Sequence, residues 1–334
     1  MELTKIHGCL AGLALGDAMG MPSEFYSPDQ IEQNFGRIEV LEKAPAGHPH
    51  QIMEAGQITD DTGQGIAIAH ACLPTGEINI ESSVRYLLEW EDSLPPDILR
   101  VIEGPSTRAA LQEIRQGGDP HRSGRNGKTN GAAMRVAAVG LLHAGDFAGA
   151  CQAAIAASFP THAVNIALSG AACVACAVAE AATENATLPS ILQAAKNGAE
   201  FGMTQGIWTW STALTNRIDL AVQLVERSAS ESDAVNAIYR FVGVDMLVPE
   251  SVAAAIGLVA LAQGDPMKAI RFGANIGGDT DTIAAIAGQI CGAWRGIEAF
   301  DLRLVHQVEK VNHLNLMDES LKLFSAIEGR KNLS

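Results

Sequence analysis

Two short acidic stretches carry the residues whose types and spacing could do chemistry: Thr59-Asp60-Asp61-Thr62 and Gly278-Asp279-Thr280-Asp281-Thr282. Each runs directly into small apolar residues over a helical length, Gly63 to Leu73 in one case and Ile283 to Trp294 in the other. Asp and Thr cap helices, so both stretches read as the first turn of a helix that then enters the core. Two carboxylates about 4 Å apart at a buried helix start repel by about 4 kcal/mol at an effective dielectric of about 20. The helix dipole offsets only about 0.3–1 kcal/mol for each. Together the stretches supply Asp60, Asp61, Asp279, Asp281 and several hydroxyls, with no His or Cys among them. An all-oxygen set suits a hard cation, Mg²⁺ or Mn²⁺ before Ca²⁺, and does not suit zinc. One such stretch alone is an ordinary capped helix. Two point to a metal, provided the fold brings both helix starts together.

A third stretch is basic and rich in glycine, Arg122-Ser-Gly-Arg-Asn-Gly-Lys-Thr-Asn-Gly131, and opens onto an apolar run, Ala132 to His143. Main-chain N–H groups of such a loop, with a helix N-terminus behind them, form an anion site. Gly127-Lys128-Thr129 looks like the end of a phosphate-binding P-loop. That motif needs a glycine five residues before Gly127, where this chain has Arg122, and no strand precedes it. A kinase-like reading rests on those three residues alone.

The elements that must position these groups read as helices. Alanine and glycine are abundant and aromatics make up 5%, so helices can approach closely. Helical spacing runs through Lys5–Gly20, Ser82–Glu91, Thr107–Gln116, Phe147–Ser158, Ala163–Ala182, Leu188–Phe201, Ala213–Arg227, Ser232–Phe241, Ser251–Gln263 and Leu302–Val311. Gly264-Asp265-Pro266 and Phe159-Pro160-Thr161 act as breakers, and no strand alternation appears. The loop from Pro45 to Gln57 holds His48 and His50, which could be ligands, although two histidines in a loop usually face solvent. The expectation is one all-α domain over residues 1–334, a compact helical bundle.

A formal net charge of −15 argues against nucleic-acid backbones or an anionic membrane surface as principal partners. Six scattered cysteines in apolar surroundings read as small buried hydrophobes in a reducing, cytoplasmic compartment. No secretory leader is visible at the N-terminus, and the run Ala163–Ala182 contains Asn165 and Ser169, which marks a buried helix and not a membrane span.

Five strings in order resemble the ADP-ribosylglycohydrolase family: Gly16-Asp17-Ala18-Met19-Gly20-Met21-Pro22-Ser23-Glu24, Thr59-Asp60-Asp61-Thr62, Asn130-Gly131-Ala132-Ala133-Met134-Arg135, Thr161-His162 and Gly278-Asp279-Thr280-Asp281-Thr282. The resemblance implies an orthogonal all-α bundle with two Mg²⁺ or Mn²⁺ ions in a central cleft. It implies hydrolysis of the bond between C1″ of an α-linked ribose and an N or O leaving group. The implied metal ligands are Glu24, Thr59, Asp60, Asp61, Asp279, Asp281 and Thr282, with Glu24, Asp60 and Asp281 as the catalytic set. Gly127, Lys128, Thr129, Asn130, Gly131, Met134 and His162 would bind substrate, an ADP-ribosylated protein or a small ADP-ribosyl or ribosyl compound. Two departures fall on the substrate side. Thr129 stands where the family has glycine, and residues 98–103 interrupt a Pro-x-Asp-x-Gly run, leaving Asp97, Asp92 and Glu103 as alternatives for the leaving-group side. The rival readings are a hydrolase of small α-ribosides or nucleosides, and a non-catalytic binding or structural protein on the same scaffold.

Overall fold

The computed structural model describes residues 2–331. Among them are nineteen α-helices and no sheet, so the all-α expectation holds. The strand-like pairings among the described residues are two isolated bridges, Thr129 with Leu247 and Val164 with Ile207. One continuous apolar core runs through the described residues from Ile6 to Ile327.

The packing that matters for the site is between the first helix, Leu3–Gly20, and the late helix, Thr280–Arg295. Gly8, Gly12, Gly16 and Gly20 recur every four residues and so form one stripe. That stripe lies against Gly292, Gly288, Ala284 and the Thr280–Asp281 backbone, helix against helix with nothing between. A Cβ on Gly12 would stand 2.1 Å from the Gly288 carbonyl oxygen. The glycines thus lower helix propensity and gain close backbone contact, and the close contact sets Asp281 beside the end of the first helix. Gly12→Ala is expected to lower Tm by about 5–10 °C, because the clash is with backbone that cannot turn aside. A thermal melt checks this; an unchanged Tm contradicts the packing.

The central helix Asn165–Ala181 has every residue buried except Glu180, which explains its apolar character on all faces. No described helix is long and apolar enough to cross a membrane. All six cysteines are buried and free.

Two differences from the sequence reading have clear causes. Helix Pro266–Ile276 begins at a proline read as a breaker, and helices Pro28–Phe35 and Pro96–Ile102 begin at prolines too. Proline at the first helical position loses no hydrogen bond, so it starts these helices. The run from Ala132 to His143 is not one helix but two, Gly131–Met134 and Ala137–Leu142. The break falls at Arg135, whose guanidinium is drawn inward to Gln64 Oε1 at 2.6 Å and Thr161 Oγ1 at 2.5 Å.

Candidate metal centre and active site

The two acidic helix starts meet. Thr59 is the N-cap of helix Asp60–Cys72, and Asp279 the N-cap of helix Thr280–Arg295. Thr282 Oγ1 donates to Asp61 Oδ2 at 3.3 Å, joining residues 221 apart in the chain. Glu24 reaches the same place because the turn after the first helix pairs with the Gly277–Gly278 turn. Phe25 N–H donates to Gly278 O at 2.7 Å, and Gly278 N–H to Tyr26 O at 2.9 Å. This holds Phe25 at φ 65°, a left-handed conformation that costs a non-glycine residue about 1 kcal/mol or more. Gly278, at φ 72°, has its Cβ position only 2.4 Å from Val244 O, so glycine is required there.

A cavity of about 160 Å³ lies over the cluster. Glu24, Asp60, Asp61, Asp279, Asp281 and Thr282 line it together with Glu103, Gly104, Thr129, Asn130, Gly131 and Met134. The expected ligand set is therefore gathered, with Thr59 just behind it. Of the expected substrate residues, Asn130 serves the acidic side as well: its Nδ2 donates to Asp279 Oδ2 and to Ser251 Oγ. Gly127 and Lys128 do not line this cavity. Gly127 packs on the Thr161 carbonyl, and Lys128 faces a neighbouring pocket with Trp210 and Arg217. His162 stands one layer back, its Nε2 at 3.0 Å from Thr129 Oγ1 and its Nδ1 at 2.8 Å from Thr161 Oγ1. Burial, then the Arg135 charge, holds His162 well below the ordinary histidine range, so it is neutral.

Four groups went unassigned in the sequence. Asp17, inside the apolar first helix, is fully buried and accepts from Thr59 N–H and Oγ1–H, both at 2.9 Å, and from Thr62 N–H and Oγ1–H at 3.0 and 2.5 Å. It ties the Thr59–Thr62 turn to the first helix; a lone carboxylate in a small-apolar run was its visible sign. The Thr59 hydroxyl donates to Asp17 and accepts from Asp61 N–H at 3.4 Å, which ties the cap to the helix start it carries. Gln64 relays between Asp60 Oδ2, at 2.9 Å, and Arg135. His48 and His50 are buried, which corrects the solvent-facing expectation. The cause is hydrogen bonding: His48 Nε2 lies 2.8 Å from Glu24 O, and His50 Nε2 contacts Glu24 Oε2. Among the three acids left open, Glu103 lines the cavity, whereas Asp92 pairs on the surface with Arg115 and Asp97 is exposed.

The electrostatics are one-sided. Burial pushes Glu24 and Asp60 up to about 8 and Asp279 up to about 7, with neighbouring carboxylates adding to the shift. Burial, reinforced by those same charges, raises Asp61 and Asp281 well above the ordinary range. The buried Arg135 is the nearby cation, and it touches Gln64 and Thr161 instead of a carboxylate. Asp61 Oδ1 is buried without a partner. Left alone, such an oxygen costs about 1–3 kcal/mol. Clustered hard oxygens, one of them orphaned, with too little positive charge, fit a divalent cation.

A pH prediction follows. Groups whose folded pKa lies near 7–8 and unfolded pKa near 4 hold protons that the unfolded chain releases. Stripped of divalent cations, the protein is therefore expected to lose stability steadily as pH rises from about 4 to about 8, and Mn²⁺ or Mg²⁺ should restore it at the upper end. Melts in EDTA across that range check the sign.

A family model described as ADP-ribosylglycohydrolase matches residues 2–332. The chain belongs to the ADP-ribosylglycohydrolase family. It is 36% identical to the uncharacterized protein YegU of Escherichia coli strain K12, covering 94% of this chain and 95% of that one. It is 24% identical to the human ADP-ribosylhydrolase ARH3, covering 96% and 93% of the two chains. Over 50% of this chain and 53% of the other it is 30% identical to the ADP-ribosyl-[dinitrogen reductase] glycohydrolase of Rhodospirillum rubrum. A solved structure described as an ADP-ribosylglycohydrolase-related protein complex superposes with a TM-score of 0.68 at 25% identity, covering 97% of this chain and 98% of that one. Membership makes the protein a glycoside hydrolase by class, in a metal-dependent family that acts on glycosidic bonds of ADP-ribose.

Proposed function

We propose that the protein hydrolyses the C1″ N- or O-glycosidic bond of an α-linked ADP-ribosyl group, releasing ADP-ribose from a protein or a small compound, and that it acts as one domain over residues 1–334. The observation that carries the reading is the meeting of both acidic helix starts and Glu24 around one cavity, with Asp61 Oδ1 buried and unpartnered. Glu24, Thr59, Asp60, Asp61, Asp279, Asp281 and Thr282 would hold two divalent cations, Mg²⁺ or Mn²⁺. When bound, the cations supply neutralisation of the carboxylates and polarisation of oxygens on the substrate.

The chain's own groups do the rest. Thr129, Asn130, Gly131 and Met134 line the same cavity as the acidic groups and would fix the sugar against them, a gain from orientation. Cleavage at an anomeric carbon passes through an oxocarbenium-like state, and the carboxylate wall stabilises its positive charge. Glu24, with Asp60 and Asp281 beside it, takes the proton of the attacking water. Glu103, which lines the same cavity and is pushed up to about 8 by burial and by Glu91 against the opposing pull of Arg108 at 3.0 Å, would give a proton to the leaving group.

The cavity size favours one second reading. At about 160 Å³ it is smaller than the roughly 300–1,000 Å³ pockets that enclose drug-sized ligands, so it encloses a ribose while the remainder of a larger substrate lies outside. A small α-riboside or nucleoside is the alternative substrate. Mass-spectrometric detection of products from arginine- and serine-linked ADP-ribose and from an α-nucleoside separates them. ADP-ribose release supports the first reading; ribose release from the nucleoside alone replaces it.

A further inference from the structure

We propose that His50 joins this centre as a nitrogen ligand through Nε2, so that the site selects Mn²⁺, or another first-row transition-metal ion, over Mg²⁺. The inference rests on the cation reading of the acidic cluster and names a ligand that the oxygen set lacks. One ring nitrogen of His50 and one carboxylate oxygen each from Glu24 and Asp281 lie within 4.8 Å of one another, all three residues buried, and it is Nε2 that contacts the Glu24 carboxylate. Donors gathered this closely would be met by one ion after small side-chain shifts.

The ring is held in place. His50 N–H donates to His48 Nδ1 at 3.1 Å, and His48 Nε2 lies 2.8 Å from the Glu24 carbonyl oxygen. Those two contacts fix the His48 tautomer, with Nε2–H donating and Nδ1 accepting. The edge of His48 also packs on Tyr26, ring centroids 4.9 Å apart. Glu24 is therefore gripped at its backbone by one histidine and at its carboxylate by the other. His50 Nδ1 is buried with no hydrogen-bond partner, and the ring, tilted against His48 with centroids 5.4 Å apart, makes its hydrogen-bonding contact through Nε2 to Glu24 of the cluster. Asp61, which lines the cavity with Glu24 and Asp281, also has a buried, unpartnered Oδ1, and this points independently to a bound ion. Imidazole is a poor ligand for Mg²⁺, which favours carboxylate, carbonyl and water oxygen, and a good one for first-row transition ions.

The test is pulsed electron paramagnetic resonance on the full-length protein loaded with Mn²⁺, with equilibrium dialysis of Mn²⁺ and Mg²⁺ alongside. The expected result is a directly coupled ¹⁴N signal that changes on ¹⁵N-histidine labelling, persists in His48→Gln and vanishes in His50→Gln. His50→Gln should also weaken Mn²⁺ binding by about tenfold or more while Mg²⁺ binding changes far less. Bound Mn²⁺ with no directly coupled nitrogen in the unmodified protein overturns the proposal, whether or not His50→Gln folds. So does an equal loss for both ions. Failure to take up either ion overturns the underlying cation reading too, and the dialysis arm tells these results apart.

Discussion

Asp60→Asn is expected to lower ADP-ribose release by about 10²–10³-fold and to abolish the cation-induced rise in Tm, while the protein stays folded. The substitution keeps shape and removes charge. Asp60 Oδ2 accepts from Gln64 Nε2 at 2.9 Å and from Gly104 N–H at 3.1 Å, and an asparagine oxygen can accept from both. Its amide nitrogen then points donor hydrogens to where a cation would sit. With one fewer buried carboxylate, the cation-free form should melt at a higher temperature than the unmodified protein. That opposition, higher Tm in EDTA and no gain with Mn²⁺, distinguishes a lost cation site from general damage. Asp281→Asn should behave alike, since its carboxylate is raised by burial and by the charges of Glu24 and Asp61. Normal turnover in Asp60→Asn would sink the assignment.

The second large effect is expected at a residue outside the cavity. Asp17→Asn should weaken Mn²⁺ binding by about 10–100-fold and lower Tm by about 5 °C or more. Asp17 accepts four hydrogen bonds from the Thr59–Thr62 turn, two on each oxygen. Asparagine can accept only at one of those oxygens, and its amide N–H₂ would face the N–H and O–H of Thr62. A buried donor against donors costs at least the desolvation of an unpaired group, about 1–3 kcal/mol. The turn that carries Asp60 and Asp61 would then shift. Asp17 acts as a positioning residue, so calorimetry of cation binding on the folded variant is the readout. Tm lost with cation affinity intact would reduce it to a structural role.

The metal side of the site was legible in the sequence because it is written as local grammar. Capping residues before small-apolar runs mark both helix starts, and no tertiary knowledge is needed to see them. Whether the starts meet is a tertiary fact, carried by the glycine stripe of the first helix and by Thr282 reaching Asp61. Glu24 came only from resemblance, since a carboxylate after Pro-Ser reads as an exposed turn. His50 was misjudged because a His-x-His pair in a Gly/Pro-rich loop has no periodicity to reveal burial. Its burial comes from contact with Glu24, distant in the chain. Pro266 read as a break because proline marks helix starts and stops alike. Arg135 divides an apolar run that periodicity alone makes continuous, for the sake of two buried hydrogen bonds.

The most direct test measures ADP-ribose release from arginine- and serine-linked substrates by the EDTA-treated protein as Mn²⁺ or Mg²⁺ is added back, with bound cation counted in the same samples. The account predicts no release without cation, release that rises as the ions fill the site, and two ions per chain at saturation. Full release in EDTA from protein shown to carry no divalent ion would contradict it.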